Sequence, residues 1–387
     1  MNNTYISDSI KYIGVNDKTL DLFESQYKIP NGVSYNSYVI LDEKVAVMDT
    51  VDKRAGIEWL ENLERTLEGR TPDYLIISHL EPDHAANIKN LSDKYPEMKI
   101  VANAKIFGML PQFFDMDIED KKVIVAEGDE LCLGSHTLQF FMAPMVHWPE
   151  VMVEYEKSEK VLFSADGFGK FGALDVDEDW TDEARRYYIN IVGKYGAPVQ
   201  ALLKKAATLD IKTICPLHGP VLNENLGYYI DKYNKWSSYV PEEKGTVVAY
   251  ASIHGNTASA AQKMVEILKE KGEQNVVLYD LSRADMSQVI ADSYRFDKLI
   301  VAAATYDGGM FPCMEDFLLH LKHKNFQNRK VGIIENSSWA PAAGKCMKSL
   351  FEEMKNISIC ENLVSIKSVA KAEDIKSMND LADEILA

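Results

Sequence analysis

Apolar positions in the last third of the chain fall in short unbroken runs separated by amphipathic stretches. The runs are TVVAYAS (246–252), NVVLYDL (275–281), KLIVAAAT (298–305), KVGIIENS (330–337) and NLVSIK (362–367). Between and after them lie stretches such as ASAAQKMVEILKEKG and MEDFLLHLKHK, whose apolar residues recur with helical period. A strand covered on both faces reads as a continuous apolar run, and strand–helix alternation predicts a parallel, doubly wound sheet. The polar stretch from Val240 to Gly245, carrying Pro241 and Gly245, is the clearest seam. It divides the chain into a first domain over 1–242 and a second over 243–387. The first domain is less periodic. SYNSYVILD and KVAVMDT read as paired strands, a helix follows, and DYLIISH runs into a chemically dense loop. Further strands are expected at KKVIVA, HTLQFFMAP, VMVEYE and KVLFSADG, so this half predicts an α/β sandwich.

Composition narrows the function classes. At 387 residues the chain is long enough for two cores, and 46% hydrophobic with 26% charged residues is ordinary for a globular protein. A formal net charge of -17 makes nucleic acid and anionic membrane surfaces poor partners. The N-terminal stretch through Val15 lacks a basic start and a continuous apolar core, so no secretory leader is expected. No apolar run approaches the roughly 20 residues of a membrane helix. The five cysteines form no CxxC pair, which argues against a disulfide scaffold or an iron–sulfur centre and for a reducing cytoplasm.

The densest chemistry follows the strand YLIIS: His79, Glu81, Asp83 and His84 lie within six residues. In an extended loop, side chains at 79, 81 and 83 face one way, because they alternate with period two. Pro82 keeps Glu81 extended. His84 is expected to open a helix and so to approach from another side. Four candidate ligands turned in two directions suit two adjacent metals. Three later positions sit at strand ends bordered by Gly or Pro: His147 in APMVHWPE, Asp166 in LFSADGFG and His218 in ICPLHGP. Taken singly, each of these histidines is more often a packed residue than a ligand. Together the seven make four histidines and three carboxylates, the count a dinuclear centre needs.

The order His-x-Glu-x-Asp-His, then His, Asp and His, resembles the metallo-β-lactamase superfamily. Its hydrolases usually carry a second His where this chain has Glu81. The carboxylate form resembles the flavodiiron protein family, and the likeness extends over nearly the full length. It implies two irons per chain, with His79, Glu81 and His147 on one, Asp83, His84 and His218 on the other, and Asp166 bridging. A third carboxylate adds hard anionic donors that favour ferric iron. Trp148 and Pro149 match the family's context beside His147, and the resemblance places Tyr195 near the irons as a catalytic residue. His136 reads as structural. The implied fold is an N-terminal metallo-β-lactamase-like αβ/βα sandwich followed by a C-terminal flavodoxin-like doubly wound sheet.

In the second domain the first strand runs into Ser252, Ile253, His254, Gly255, Asn256 and Thr257. Hydroxyls and a glycine at a helix N-terminus offer backbone N–H groups and the positive end of the helix dipole to a phosphate. The loop has no Lys for a triphosphate and is not the dinucleotide GxGxxG. It resembles the flavodoxin phosphate loop, which implies FMN. The third strand ends at Thr305, Tyr306, Asp307, Gly308 and Gly309, and the fourth at Asn336, Ser337, Ser338, Trp339 and Ala340. Open parallel sheets bind ligands at these carboxyl ends. Tyr306 and Trp339 are candidates for contact with the flavin ring. The family often has a Gly-rich sequence where this chain reads Asn336 to Trp339.

The resemblance implies reduction of dioxygen to water, of nitric oxide to nitrous oxide, or of both, with electrons passing through FMN to the irons. The last helix ends near Ala387 with no rubredoxin-type segment after it, so an external donor such as rubredoxin, or an F420-type carrier, is expected. A homodimer or homotetramer is also implied. Two other readings stay open: a hydrolase with a flavodoxin-like sensory module, and an electron carrier with a structural metal domain.

Overall fold

The computed structural model describes residues 4–387; Met1, Asn2 and Asn3, which begin the stretch read above as lacking a leader, lie outside the described residues. The chain divides into two compact units. One comprises 4–188 and 197–234, the other 189–196 and 235–387. This differs from a single cut at 242/243, because compactness follows contacts rather than chain order. Asn190 Nδ2, for example, donates to Ser287 O at 3.0 Å, and Tyr239 Oη donates to Gly193 O at 2.9 Å.

The first unit holds two sheets. In the first, β1 (Ile10–Tyr12), β2 (Tyr38–Leu41), β3 (Val45–Met48), β4 (Tyr74–Ile76), β5 (Lys99–Asn103) and β6 (Lys122–Val125) run in that spatial order, antiparallel through β3 and parallel after it. In the second, β7 (Glu130–Cys132), β8 (Thr137–Met142), β9 (Met152–Glu156), β10 (Val161–Phe163) and β11 (Thr213–Cys215) follow likewise, antiparallel until the parallel pair β10–β11. Rings of Tyr38 and Phe163 meet at 5.5 Å, joining one sheet to the other. Helix α1 (Gly56–Leu67) buries Trp59, Leu63 and Leu67, a four-residue repeat that keeps one face inward. Each such side chain contributes about 1.5–3 kcal/mol on burial. Sheet strands shorter than the apolar runs, such as Tyr74–Ile76 within DYLIISH, free the ends of those runs for loops that carry the chemistry.

The second unit is a doubly wound parallel sheet in the order β13 (Val276–Asp280), β12 (Glu243–Ala251), β14 (Phe296–Tyr306), β15 (Arg329–Asn336), with β16 (Ile357–Ile359) and β17 (Val364–Ile366) both pairing β15. The sequence offered five strands; β16, three residues long, is too short to stand out as a further one. Helices α6 (Asn256–Glu270) and α10 (Ala372–Leu386) pack with Val248, Ile300 and Ile334 in one apolar cluster. On β13, an edge strand, every residue is half-buried, so its apolar run is not covered on both faces. Among the described residues, no helix is long and apolar enough to cross a membrane.

Candidate functional site

The first loop begins where β4 ends. Asp49 Oδ1 accepts from Ser78 N at 2.8 Å, and Glu150 Oε1 from Leu80 N at 3.0 Å, which pins the backbone on both sides of His79. Glu81 is extended, at φ -59° and ψ 132°, as its position before a proline requires. Pro82 then opens the short helix α2 (Pro82–Ala85). Here the sequence expectation is corrected: Asp83 does not continue the extended run but sits in this helical turn with His84. Proline is pre-organised for the first helical position, so the turn starts two residues earlier than the apolar pattern implied. Thr50 then clamps His84 O, its N–H donating at 2.9 Å and its hydroxyl at 2.7 Å.

All seven sequence candidates converge. His79, Glu81, His147 and Asp166 offer ligand atoms within 4.8 Å of one another, and Asp83, His84 and His218 do the same. In the first group, His147 Nε2 lies 2.8 Å from Glu81 Oε2 and 3.0 Å from Asp166 Oδ2, while His79 Nε2 lies 3.4 Å from Asp166 Oδ2. In the second, Asp83 Oδ2 lies 3.3 Å from His84 Nε2 and 3.2 Å from His218 Nε2. Asp166 faces both groups, Oδ2 toward the first and Oδ1 toward His84 and His218 at 3.6 and 4.0 Å. A carboxylate with one oxygen aimed at each group is placed to bridge two cations.

The donor chemistry fits metal. His218 Nδ1 donates to Ser34 O at 2.7 Å, so in a neutral ring Nε2 carries the lone pair, and His84 Nε2 stands only 3.0 Å from it. The ring nitrogens His79 Nε2 and His147 Nε2, both Asp83 carboxylate oxygens and Asp166 Oδ1 are buried without a hydrogen-bond partner. Buried polar atoms are ordinarily paired, and an ion is one of the few explanations for so many in one place. Electrostatics agrees. Burial, and Asp83 beside it, push the Glu81 carboxyl up to about 7. Burial opposes a charged His79, yet Asp166 and Glu81 carry it up to about 9. Burial likewise opposes an ionised Asp166, and His79 and His147 nonetheless hold it well below the usual carboxylate range. Three carboxylates buried this close together demand positive charge, which two cations held by the same residues would supply.

Aromatic rings fix His218: Phe23 and Tyr187 at 5.4 Å and Tyr35 at 6.1 Å. Burial, then Asp166, Asp83 and Glu81, raise the Tyr187 hydroxyl well above its usual value. The tyrosines against the candidate ligand histidines are Tyr187, on His218, and Tyr35, on His84 and His218. Tyr195 ends the turn Gly193–Tyr195 within a segment that groups with the second unit, its ring under the Lys194 ammonium. Tyr187 carried no local signal, since its helix reads as an ordinary amphipathic one. Trp148 meets His147 edge-on at 6.5 Å, and Pro149 O accepts from Lys105 Nζ at 3.1 Å. His136 ties strands together, Nδ1 to Asp42 Oδ2 at 2.7 Å and Nε2 to Glu159 Oε1 at 3.0 Å.

In the second unit, the carboxyl ends of the strands surround a cavity of about 600 Å³, within the range of small-molecule sites. Ser252, Ile253, His254, Asn256 and Thr257 line one side, Thr305 to Gly308 another, and Asn336 to Ala340 a third. Gly255 and Gly309 are not in the wall. Gly255, at φ 95°, makes the left-handed turn that starts α6, and Gly309 pairs back onto Tyr306. Ser252 Oγ accepts from Gly255 N at 3.1 Å, so the backbone is wound into a cradle at the N-terminus of a 15-residue helix. Tyr306 and Trp339 are exposed at the rim, Trp339 to 82%, leaving their faces free for a planar ligand. Ala304 and Ser368 also line the cavity and were missed. Ser368 follows β17 and bonds Asn336 in both directions, at 2.8 and 3.0 Å. The rule that ligands sit at strand ends would have found it.

Comparison with known proteins agrees with this architecture. A family model described as "ODP family beta lactamase" matches residues 33–219. A nitric oxide reductase of Moorella thermoacetica is 28% identical over 99% of this chain and 98% of its own. The rubredoxin oxygen:oxidoreductase of Desulfovibrio gigas superposes with a TM-score of 0.91 at 26% identity, covering 99% of this chain and 97% of that one. The flavodiiron protein of Giardia intestinalis shares the fold, with a TM-score of 0.91 at 24% identity over 99% and 96% of the two chains. A lactamase-like unit with two buried metal-ligand groups, followed by a doubly wound unit with a cavity at its strand ends, is thus matched along its whole length by proteins of the flavodiiron type.

Proposed function

We propose that this oxidoreductase reduces dioxygen to water, nitric oxide to nitrous oxide, or both, taking electrons from an external donor through FMN to a diiron centre. The observation that carries this reading is Asp166, one oxygen toward each of two buried donor groups, in a chain that also has a flavin-sized cavity. We assign His79, Glu81 and His147 to one iron, Asp83, His84 and His218 to the other, and Asp166 to both. FMN is assigned to the loops at 252–257, 305–309 and 336–340. We assign the metal domain to 1–242 and the flavin domain to 243–387, with 189–196 and 235–242 packing into the second compact unit.

Bound iron would supply electrons to a small oxidant and open positions to hold it. The chain's own residues do the rest. Thr50, Ser34 and Glu150 hold the ligand loops in place through their hydrogen bonds. The rings of Phe23, Tyr35 and Tyr187 keep water from His218. Carboxylate in both groups favours iron over the zinc of a hydrolase. The reading extends to a cytoplasmic homodimer or homotetramer served by a rubredoxin-type carrier. Elemental analysis should find about two irons per chain and negligible zinc, consistent with the ligand set. Anaerobically reduced protein should then be reoxidised rapidly by one or both gases. Mostly zinc, with esterase activity and no gas consumption, would establish the hydrolase instead.

A further inference from the structure

The metal loops are undercut by apolar space. Between α4 (Gly196–Ala206), α5 (Leu226–Ser237) and strands β9–β11 lie two adjoining cavities of about 30 and 160 Å³. They share Leu162, Phe168, Leu203, Ala206 and Leu209 in their walls, so the two chambers adjoin. The smaller, inner chamber is also walled by buried Val146 and Gly167, the chain neighbours of His147 and Asp166. The larger, outer chamber is also walled by half-buried Ile211, Leu226 and Ile230 and by exposed Ala207.

The walls are almost wholly apolar. Ser164 Oγ donates to Gly167 O at 2.6 Å, and Tyr233 Oη accepts from Phe168 N at 2.5 Å. Lys205 lines the inner chamber with its stem only, because its ammonium bonds Glu127 Oε2 and Met142 O, both at 2.9 Å. An apolar cavity near the size of the outer chamber stays dry and takes up benzene or xenon. Phe168 stands in the walls of both chambers. It is held at φ 67°, a left-handed conformation unfavourable for a bulky residue, and its ring stacks on Tyr233 at 4.2 Å. Such strain persists only where the surroundings over-determine it, and it clusters at functional sites.

We propose that this passage binds the small uncharged diatomic substrate and conducts it from the surface beside Ala207 to the ligand loops at His147 and Asp166. The identity of the occupant rests on the reductase reading above; the passage itself rests on the cavities. A charged or hydrogen-bonding molecule finds no partner along it, whereas dioxygen and nitric oxide need none.

Xenon tests the binding site without turnover. Crystals of the FMN- and metal-loaded wild type, pressurised with xenon, should show it in the outer chamber beside Leu203 and Ala206. Ala206→Phe should fill the chamber and exclude xenon, and Ala206→Leu should do so in part, which keeps the test alive should the larger residue not fold. With metal and FMN content matched, Ala206→Phe should lower kcat/KM for the gas roughly tenfold while kcat at saturating gas holds, the pattern of a lost access step. Flavin reduction by dithionite should be unchanged. Equal slowing with dioxygen and nitric oxide supports a shared gas passage, and slowing with one assigns it to that gas. No xenon in the wild-type chamber, or full kcat/KM in a variant whose chamber is filled, overturns the passage while the reductase reading stands. Xenon binding in a wild type that consumes neither gas sinks the reductase reading and this occupant with it.

Discussion

Glu81 is the residue on which the metal identity turns. Its carboxylate, 2.8 Å from His147 Nε2, gives the first donor group two carboxylates once Asp166 is counted. Replacing it with His keeps a ligand but removes a hard anionic oxygen, so Glu81→His should bind zinc in place of iron and lose gas reduction. Elemental analysis and anaerobic reoxidation check this together; full iron loading with normal turnover would show that the carboxylate is not what selects the metal. At this scale the sequence was highly legible, because a ligand's identity is a property of one residue. His79, Glu81, His147, Asp166 and His218 could be named as candidates from strand ends and Gly or Pro borders, though only as a set. Tyr187 could not, since what makes it relevant is the company of His218 and three carboxylates distant in the chain.

Elements set how these residues are held. The segment after β10 carries Asp166 and then Lys170, whose fully buried ammonium pairs with Glu178 Oε1 at 2.6 Å. A methyl-sized group on Gly219 would come within 2.8 Å of the Lys170 stem, so this lysine packs directly behind His218. Lys170→Met leaves Glu178 without its cation, and breaking such a pair costs about 3 kcal/mol or more. Urea unfolding should register that loss, and Lys170→Met with Glu178→Gln should recover most of it; an unchanged midpoint in the single variant would mean the pair contributes nothing. His136, at the start of β8, gives a pH-dependent tie. Burial works against its charge, but Glu159 and Asp42 override it and raise its value. Its contribution is therefore complete below the ordinary histidine value of about 6.5 and is lost as pH rises through the raised one. Asp42 behaves oppositely: burial resists its ionisation, His136 lowers its value, and its contribution is lost as pH falls through that lowered value. The two are jointly present between about pH 4 and 6.5. The urea midpoint of wild type should exceed that of His136→Gln most near about pH 5.5 and much less near about pH 9. An equal gap at both pH values would assign the effect to packing.

For the whole molecule, the proposed function requires electrons to pass from the flavin loops to the metal loops. The resemblance implies a head-to-tail dimer that sets the flavin of one subunit beside the irons of the other, and a two-fold axis does so twice. We expect the same here. Asp166→Ala, which removes the shared ligand, can be mixed with a variant carrying Asn256→Ala and Thr257→Ala, which strips the flavin loop. After subunit exchange, mixed dimers should regain roughly one of the two functional pairs if transfer runs between chains. Verified exchange with no recovered turnover would mean that each chain works alone.

The sequence by itself determined the kind of sheet and named seven candidate donors that the fold brings together and loops that line one cavity. Strand–helix alternation and ligand identity are written locally, in runs of a few residues such as KLIVAAAT or in single side chains such as Glu81. The start of α2 was also local, but proline's place at the first helical position outweighed the apolar pattern that had Asp83 extended. Only the tertiary structure decided the rest. It turned the two oxygens of Asp166 toward different donor groups, set Tyr35 and Tyr187 against His218, and grouped 189–196 with the second unit. It also left two apolar chambers lined in common by Phe168. Each of these depends on residues far apart in the chain meeting at a few ångströms, and side-chain packing across elements fixes such meetings where no local pattern encodes them.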